Sequence, residues 1–394
     1  MTDLPLNPLL ARFATYPFLE IERKKAALLA RGVDVIDLSI GDPREPTPAF
    51  IAEALKQHVP ERSSYPTVAG RPELRRAVAG WVTRRYGVAL DPDTQVLPAN
   101  GSKEAIFGIH LALIDPHGPR RRVVIPTPAY PVYERGAAFA GGIPTFLPLR
   151  EDRGFLPDFA SVPGSLWDET AILWLNYPHN PTGAGAPRAL YDEALALARR
   201  HGFVVLSDEA YSELWFAAPP ASLLEAGTER ALVFQTLSKR SAMTGYRSGF
   251  VAGDPALIAP FRALRPTLGV ATPTFVQHAA EAAWNDDAHV LGLRASFAAK
   301  RAEALAFFGG AAGRRAGFRI VPNDATFYLW LAVPQGADSG SVAARWLTEA
   351  GVAVVPGEAL GEGGAGYLRV ALVPTLEECR AAWARLAPVL AHDA

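Results

Sequence analysis

Between about residue 95 and residue 285 the chain alternates short apolar runs with longer amphipathic ones, and this alternation restricts its fold more than any other feature. The short runs are Gln95–Pro98, Arg122–Pro126, Thr145–Leu149, Ala171–Asn176, Phe203–Ser207, Ala231–Thr236 and Gly249–Ala252. Helical punctuation marks the segments between them: Ser102–Leu113 opens on a capping serine just after a glycine, and Arg188–Arg200 follows Pro187. Strand and helix taking turns in this way predict a mostly parallel sheet with helices on both faces, hence one doubly wound α/β domain.

The two ends of the chain read differently. Long helical stretches (Ala288–Phe308, Gly340–Ala350) mix with short strands (Thr326–Leu331, Val352–Val355, Tyr367–Ala371), so a smaller α+β domain is expected from residues 1–45 together with 286–394, beside a large domain over 46–285. A length of 394 residues accommodates both. With 39 basic against 40 acidic residues there is no basic footprint for nucleic acid and no charge block for a membrane surface, which leaves small-molecule chemistry. The single cysteine, Cys379, lies in the helical run Leu376–Leu390 and cannot form an internal disulfide, as expected in a reducing cytoplasm. The N-terminal residues lack the pattern of a secretory signal, and no apolar run approaches the ~18 residues of a membrane span. A cytoplasmic location follows as the expectation.

Chemistry concentrates at the ends of the apolar runs. Lysine is scarce, six against 33 arginines, so Lys239, set between two strand-like runs, stands out from ordinary surface charge. An amine that can lose its proton condenses with an aldehyde, while Thr236, Ser238 and Arg247 around it are the groups that hold a phosphate. Together they describe a site for pyridoxal 5'-phosphate (PLP). The run ending at Asp208 places a carboxylate where it can keep the cofactor's ring nitrogen protonated, an attraction of about 4 kcal/mol at 4 Å in a medium of effective dielectric 20. Asn180, in the tight turn Asn176–Gly183, is the donor to the cofactor's phenolate oxygen, and Tyr211 can share that oxygen.

Further along, Asn100-Gly101-Ser102-Lys103 ends a strand and begins a helix whose open N–H groups suit a phosphate. Tyr130 is placed to stack on the ring, and Arg369 is the candidate clamp for a substrate α-carboxylate. Lys103 and Arg44 are candidates for a remote carboxylate. No histidine or cysteine spacing points to a metal, and His110 and His179 read as structural or peripheral. The segment Gly361–Gly366 satisfies the dinucleotide glycine pattern but precedes a strand instead of opening a helix, so no dinucleotide site is expected there.

Taken together, Asn176–Gly183, Asp208 to Tyr211, Thr236–Lys239, Arg247 and Arg369 resemble the class I/II aminotransferases of PLP fold type I over nearly the whole chain. The resemblance implies a large domain with a mainly parallel seven-stranded sheet, a smaller α+β domain that closes over substrate, and a homodimer. It also implies that Tyr65 reaches the neighbouring subunit's cofactor phosphate and that Gly41 lies near the substrate carboxylate. Within the family, Asn7-Pro8-Leu9-Leu10 with Tyr16-Pro17-Phe18, Ser238–Ser241 and Arg247–Asp254 are most similar to the N-succinyl-LL-diaminopimelate aminotransferases of lysine synthesis; Lys103 and Ala242–Tyr246 depart from that pattern.

The implied reaction moves an amino group between an amino acid and a 2-oxo acid, with glutamate and 2-oxoglutarate as the expected pair. LL-diaminopimelate, aromatic, aspartate and alanine aminotransferases are the alternatives. A PLP-dependent carbon–sulfur β-lyase uses the same cofactor set. A PLP-binding regulator would need a DNA-binding domain, for which neither extra length nor a basic patch exists. An aldolase-type lysine would leave the phosphate-binding groups unexplained.

Overall fold

A computed structural model describes residues 4, 6–13 and 17–391. Tyr16 and the first three residues, which belong to the N-terminal segments named above, lie outside the described residues. Strand β1 (Ile36–Asp37) comes first, followed by the seven strands of the main sheet: β2 (Val96–Ala99), β3 (Arg122–Thr127), β4 (Ile143–Pro148), β5 (Thr170–Asn176), β6 (Val204–Asp208), β7 (Ala231–Thr236) and β8 (Gly249–Gly253). Their order across the sheet is β2-β8-β7-β6-β5-β3-β4. All neighbours run parallel except β8, which is antiparallel to both β2 and β7. The chain thus has the α/β architecture of PLP fold type I.

Side chains on a strand point alternately to opposite faces, and the core divides accordingly. Val124, Leu173, Leu175, Val205, Val233 and Phe250 pack on one face with the helices Pro72–Tyr86, Arg188–His201 and Thr274–Asn285. Val123, Ile125, Trp174, Leu206, Leu232 and Val251 pack on the other with Ser102–Leu113, Val132–Phe139 and Pro255–Leu268. Burial on both faces is why the strands other than the edge strand β4 read as unbroken apolar runs.

The remaining strands are β9 (Arg319–Ile320), β10 (Tyr328–Ala332), β11 (Val352–Ala353), β12 (Val355–Pro356) and β13 (Tyr367–Ala371). Four of them form an antiparallel sheet in the order β12-β13-β10-β9. Strand β1 pairs in parallel with β11, and Ile36 and Leu38 join Phe308, Trp346, Val352 and Trp383 in one apolar cluster. Near-N-terminal and C-terminal segments therefore share a core. Among the described residues no helix is long and apolar enough to cross a membrane.

One local expectation is corrected. Ser102 is not the cap of its helix but its first residue; the cap position belongs to Gly101, at φ 78°, and no side chain bonds the helix start. A Cβ on Gly101 would overlap the guanidinium of Arg247, so glycine both supplies the left-handed turn and admits the arginine. The helix N–H groups stay open in consequence.

Candidate active site

An open cavity of about 480 Å³ lies at the carboxyl ends of the parallel strands, where open α/β sheets bind their ligands. Gly41, Ser102, Lys103, Tyr130, Asn180, Asp208, Tyr211, Thr236, Ser238, Lys239, Arg247 and Arg369 all line it. Residues separated by more than 300 positions meet there because β13 of the smaller sheet and the loop after β1 face the ends of β6 and β7.

Asp208 ends β6 and is 5 % exposed. Its Oδ2 accepts from the Tyr133 hydroxyl at 2.7 Å and its Oδ1 from the Ala210 N–H at 3.2 Å. Burial pushes its pKa up to about 6, against the opposing pull of the Tyr133 bond, the Ala210 N–H and Lys239. Asn176 ties the neighbouring strand end to the turn: its amide donates to the Asp208 carbonyl at 2.7 Å and its Oδ1 accepts from Asn180 N–H at 3.0 Å.

Lys239 belongs to the short helix Leu237–Arg240 that follows β7 directly. Its Nζ donates to the Gly41 carbonyl and reaches the cavity. Burial lowers its pKa to about 8, Asp42 opposes that shift, and Arg369 and Arg247 add to it. Thr236 caps this helix, its Oγ1 accepting from Ser238 N–H at 3.1 Å while donating to the Ser248 carbonyl. Arg247, at φ 52°, donates to the Thr244 carbonyl at 2.8 Å and reaches Ser238 Oγ and the Asn100 carbonyl at 3.4 Å.

On the opposite wall, Arg369 donates to Asn180 Oδ1 at 3.1 Å and to the Ser39 carbonyl at 2.7 Å, with its guanidinium 4.5 Å from the centre of the Tyr328 ring. The Tyr211 and Tyr328 hydroxyls lie 3.1 Å apart, and burial raises the Tyr211 pKa, so that hydroxyl stays protonated.

Two residues named from the sequence lie away from this cavity: Tyr65, which the resemblance assigns to the neighbouring subunit's site, and Arg44, a candidate for a remote carboxylate. Tyr65 is 93 % exposed and Arg44 pairs with Glu378 at 2.9 Å; neither lines the cavity, whereas Lys103 does. His179 is buried, held by Thr182 and the Pro128 carbonyl, and pushed down to about 3 by burial, which makes it structural. Asp42, Tyr328 and Tyr133 carry no sequence motif that marks them.

The donor set fits PLP. A buried acid, an amine with depressed pKa, an uncapped helix start and an arginine beside two hydroxyls are what an aromatic aldehyde phosphate requires. No cluster of three or more metal-ligating side chains exists among the described residues.

Residues 33–386 match the family model for aminotransferase class I and II. The chain belongs to this family. Class I and II aminotransferases are PLP-dependent, so the cofactor assignment stands with the family. The LL-diaminopimelate aminotransferase of Aquifex aeolicus is 40% identical over 370 residues, covering 91% of this chain and 93% of that one. An aminotransferase of Neisseria meningitidis shares 34% identity with a TM-score of 0.88, over 97% of this chain and 100% of that one. A probable N-succinyldiaminopimelate aminotransferase of Thermus thermophilus shares 32% identity with a TM-score of 0.85, over 94% and 99%. The N-succinyl resemblance read from the sequence therefore has a solved neighbour, but the curated relatives carry the name of the unacylated donor.

Proposed function

We propose that this aminotransferase takes the amino group of a diaminopimelate-type donor and delivers it to 2-oxoglutarate, with free LL-diaminopimelate favoured over its N-succinyl derivative. The observation that carries the reading is a further pair of charges in the cavity: besides Arg369 and the groups assigned to the cofactor (Asp208, Lys239 and Arg247), the wall bears a carboxylate, Asp42, and an ammonium, Lys103. A donor with a zwitterion at each end offers its far ammonium to Asp42 and its far carboxylate to Lys103. Succinylation removes that ammonium and adds a carboxylate, so Asp42 loses an attraction and gains a repulsion. The names of the curated relatives point the same way.

When bound, PLP supplies an electron sink for the donor's α-carbon. The chain's own residues do the rest in this reading. The Ser102 N–H, Thr236, Ser238 and Arg247 would hold the phosphate beside Gly101 and Lys103, Tyr130 would lie on the ring, and Asn180 with Tyr211 would bond the phenolate oxygen. Asp208 would keep the ring nitrogen charged. Lys239, at a pKa of about 8, has a free-base fraction at neutral pH and can carry the α-proton away and back. Arg369 and Gly41 would seat the α-carboxylate. Tyr65, standing out into solvent, would serve the neighbouring subunit of a homodimer, and the chain would divide into the 46–285 domain and the domain of residues 1–45 with 286–394.

Turnover of LL-diaminopimelate, its N-succinyl derivative, aspartate, alanine and aromatic donors with 2-oxoglutarate tests this. The free donor is expected to give the highest kcat/KM, and Asp42→Asn to cut its advantage over the succinylated donor roughly five-fold, the worth of about 1 kcal/mol in a solvent-exposed pair. Preference for the succinylated compound would overturn the choice of donor and favour the second reading, which the Thermus neighbour supports. Pyruvate release from cystathionine without amino transfer would instead make the chain a lyase. Arg369→Lys keeps the charge but loses the two-pronged geometry, so KM for glutamate should rise about ten-fold or more with a smaller change in kcat.

A further inference from the structure

Behind Asp208 runs a row of three buried side chains, none of which lines the cavity. Tyr133, in the helix Val132–Phe139, bonds Asp208 Oδ2, and its ring stacks on Trp174 with centroids 4.6 Å apart and planes 19° from parallel. Trp174 lies on β5, beside the strand that carries Asp208, and its indole N–H donates to His110 Nε2 at 3.0 Å. That bond settles the tautomer: with Nε2 accepting, the imidazole proton sits on Nδ1, facing the Phe107 carbonyl at 3.3 Å. Burial pushes His110 down to about 4, so it remains a neutral acceptor at physiological pH. Gly136 permits the packing, because a Cβ there would overlap the His110 ring.

We infer that Tyr133 is a positioning residue for Asp208, aligned by Trp174 and His110, and that this row governs how firmly Asp208 keeps the cofactor's ring nitrogen protonated. A hydroxyl donor favours the charged carboxylate. Tyr133 remains a donor because burial and Asp208 both raise its pKa. Without it, Asp208 is a stronger base in a dry setting and draws the shared proton toward itself. A less positive ring then repels the proton at the Lys239–cofactor link less, and that proton is held to higher pH. The other ionisable groups acting on Asp208, Lys239 and Tyr211, are unchanged in a Tyr133→Phe protein. The inference rests on the cofactor's seat at Asp208 and not on the identity of the donor.

The test uses the wild type, Tyr133→Phe and Trp174→Phe, each loaded with PLP and titrated by visible absorption, with cofactor Kd and the Tm of the unliganded proteins alongside. Tyr133→Phe is expected to move the spectral pH midpoint upward by about half a unit or more and to weaken cofactor binding roughly ten-fold, the range for a bond to a charged group. Trp174→Phe, which keeps an aromatic ring but loses the N–H, should move the midpoint the same way by less. A lowered Tm with an unmoved midpoint would reduce Tyr133 to a packing role and overturn the inference. Should Tyr133→Phe fail to fold, an unmoved midpoint in Trp174→Phe overturns it alone. No donor enters the measurement, so a wrong donor assignment leaves its outcome intact.

Discussion

Lys239→Ala is expected to lose at least about 10⁴-fold in amino transfer, because in the proposed function one side chain supplies both the covalent seat of the cofactor and the carrier of the α-proton, and a proton carrier alone is worth roughly 10²–10⁴. The loss should be in kcat, since Arg369 and its hydrogen bonds to Asn180 and Ser39 are untouched and substrate can still be held. Reduction of the loaded protein with borohydride provides a second measurement. In the wild type the label should sit on the peptide containing Lys239, with Lys103 as the internal control in the same cavity. The rate at which the unliganded protein condenses with added PLP, read by visible absorption, should rise as pH passes through about 8, where burial places the free Lys239 amine, instead of through the value near 10.5 of an ordinary lysine. Equal labelling of Lys239→Ala, or a rate that climbs only at the higher pH, would remove the basis of the mechanism.

How much of such a fold and site is legible in an amino-acid sequence depends on what kind of contact makes each part. Six strands of the main sheet are legible because burial on both faces leaves continuous apolar runs, Ala231–Thr236 being buried at every position, whereas β4, at the sheet edge, is largely uncovered. Strands β1 and β9 are not, being two residues each: β1 exists because it pairs with β11 some 300 residues away, and no local signal encodes that. The Ser102 expectation fails through backbone conformation. A serine after a glycine looks like a cap, but Gly101 in the left-handed region takes the cap position itself. The antiparallel placement of β8 between β2 and β7 is likewise a matter of topology, invisible in composition.

The chemistry is legible where residue type carries it. An amine beside hydroxyls and an arginine, or a carboxylate ending an apolar strand, has few other uses when all occur in order. Support and specificity are less so. Arg44 and Lys103 are equivalent as sequence, and only the fold separates a salt bridge with Glu378 from a cavity wall. Tyr133 acts through the adjacency of β5 and β6, which lets a helix-borne hydroxyl reach a strand-borne acid. Tyr328 enters the site from the smaller sheet and has no motif of its own.

Asp208→Asn should separate function from stability in opposite directions. Activity is expected to fall roughly 10³-fold, since about 4 kcal/mol of attraction at 4 Å in an effective dielectric of 20 corresponds to about three decades. Stability of the unliganded protein should rise. Burial lifts the Asp208 pKa from 3.8 to about 6, so the folded state binds the proton more tightly than the unfolded chain does. By linkage, the folded state loses stability as pH climbs from 3.8 to about 6 and carries the full penalty above that. Asparagine carries no charge, and its amide can accept from the Ala210 N–H while donating to the Tyr133 oxygen, so the penalty disappears with few bonds lost. Unliganded Asp208→Asn should therefore melt above the wild type at about pH 7.5, and the gain should vanish as pH falls below about 4. Adding PLP should reverse the order, because tight cofactor binding stabilises the wild type by mass action and the variant binds it less well. A variant that melts lower than the wild type by the same margin at about pH 4 and about pH 7.5 would show that the acid at 208 is not held at an electrostatic cost, and with that the proposed reason for burying it at the cavity wall would be gone.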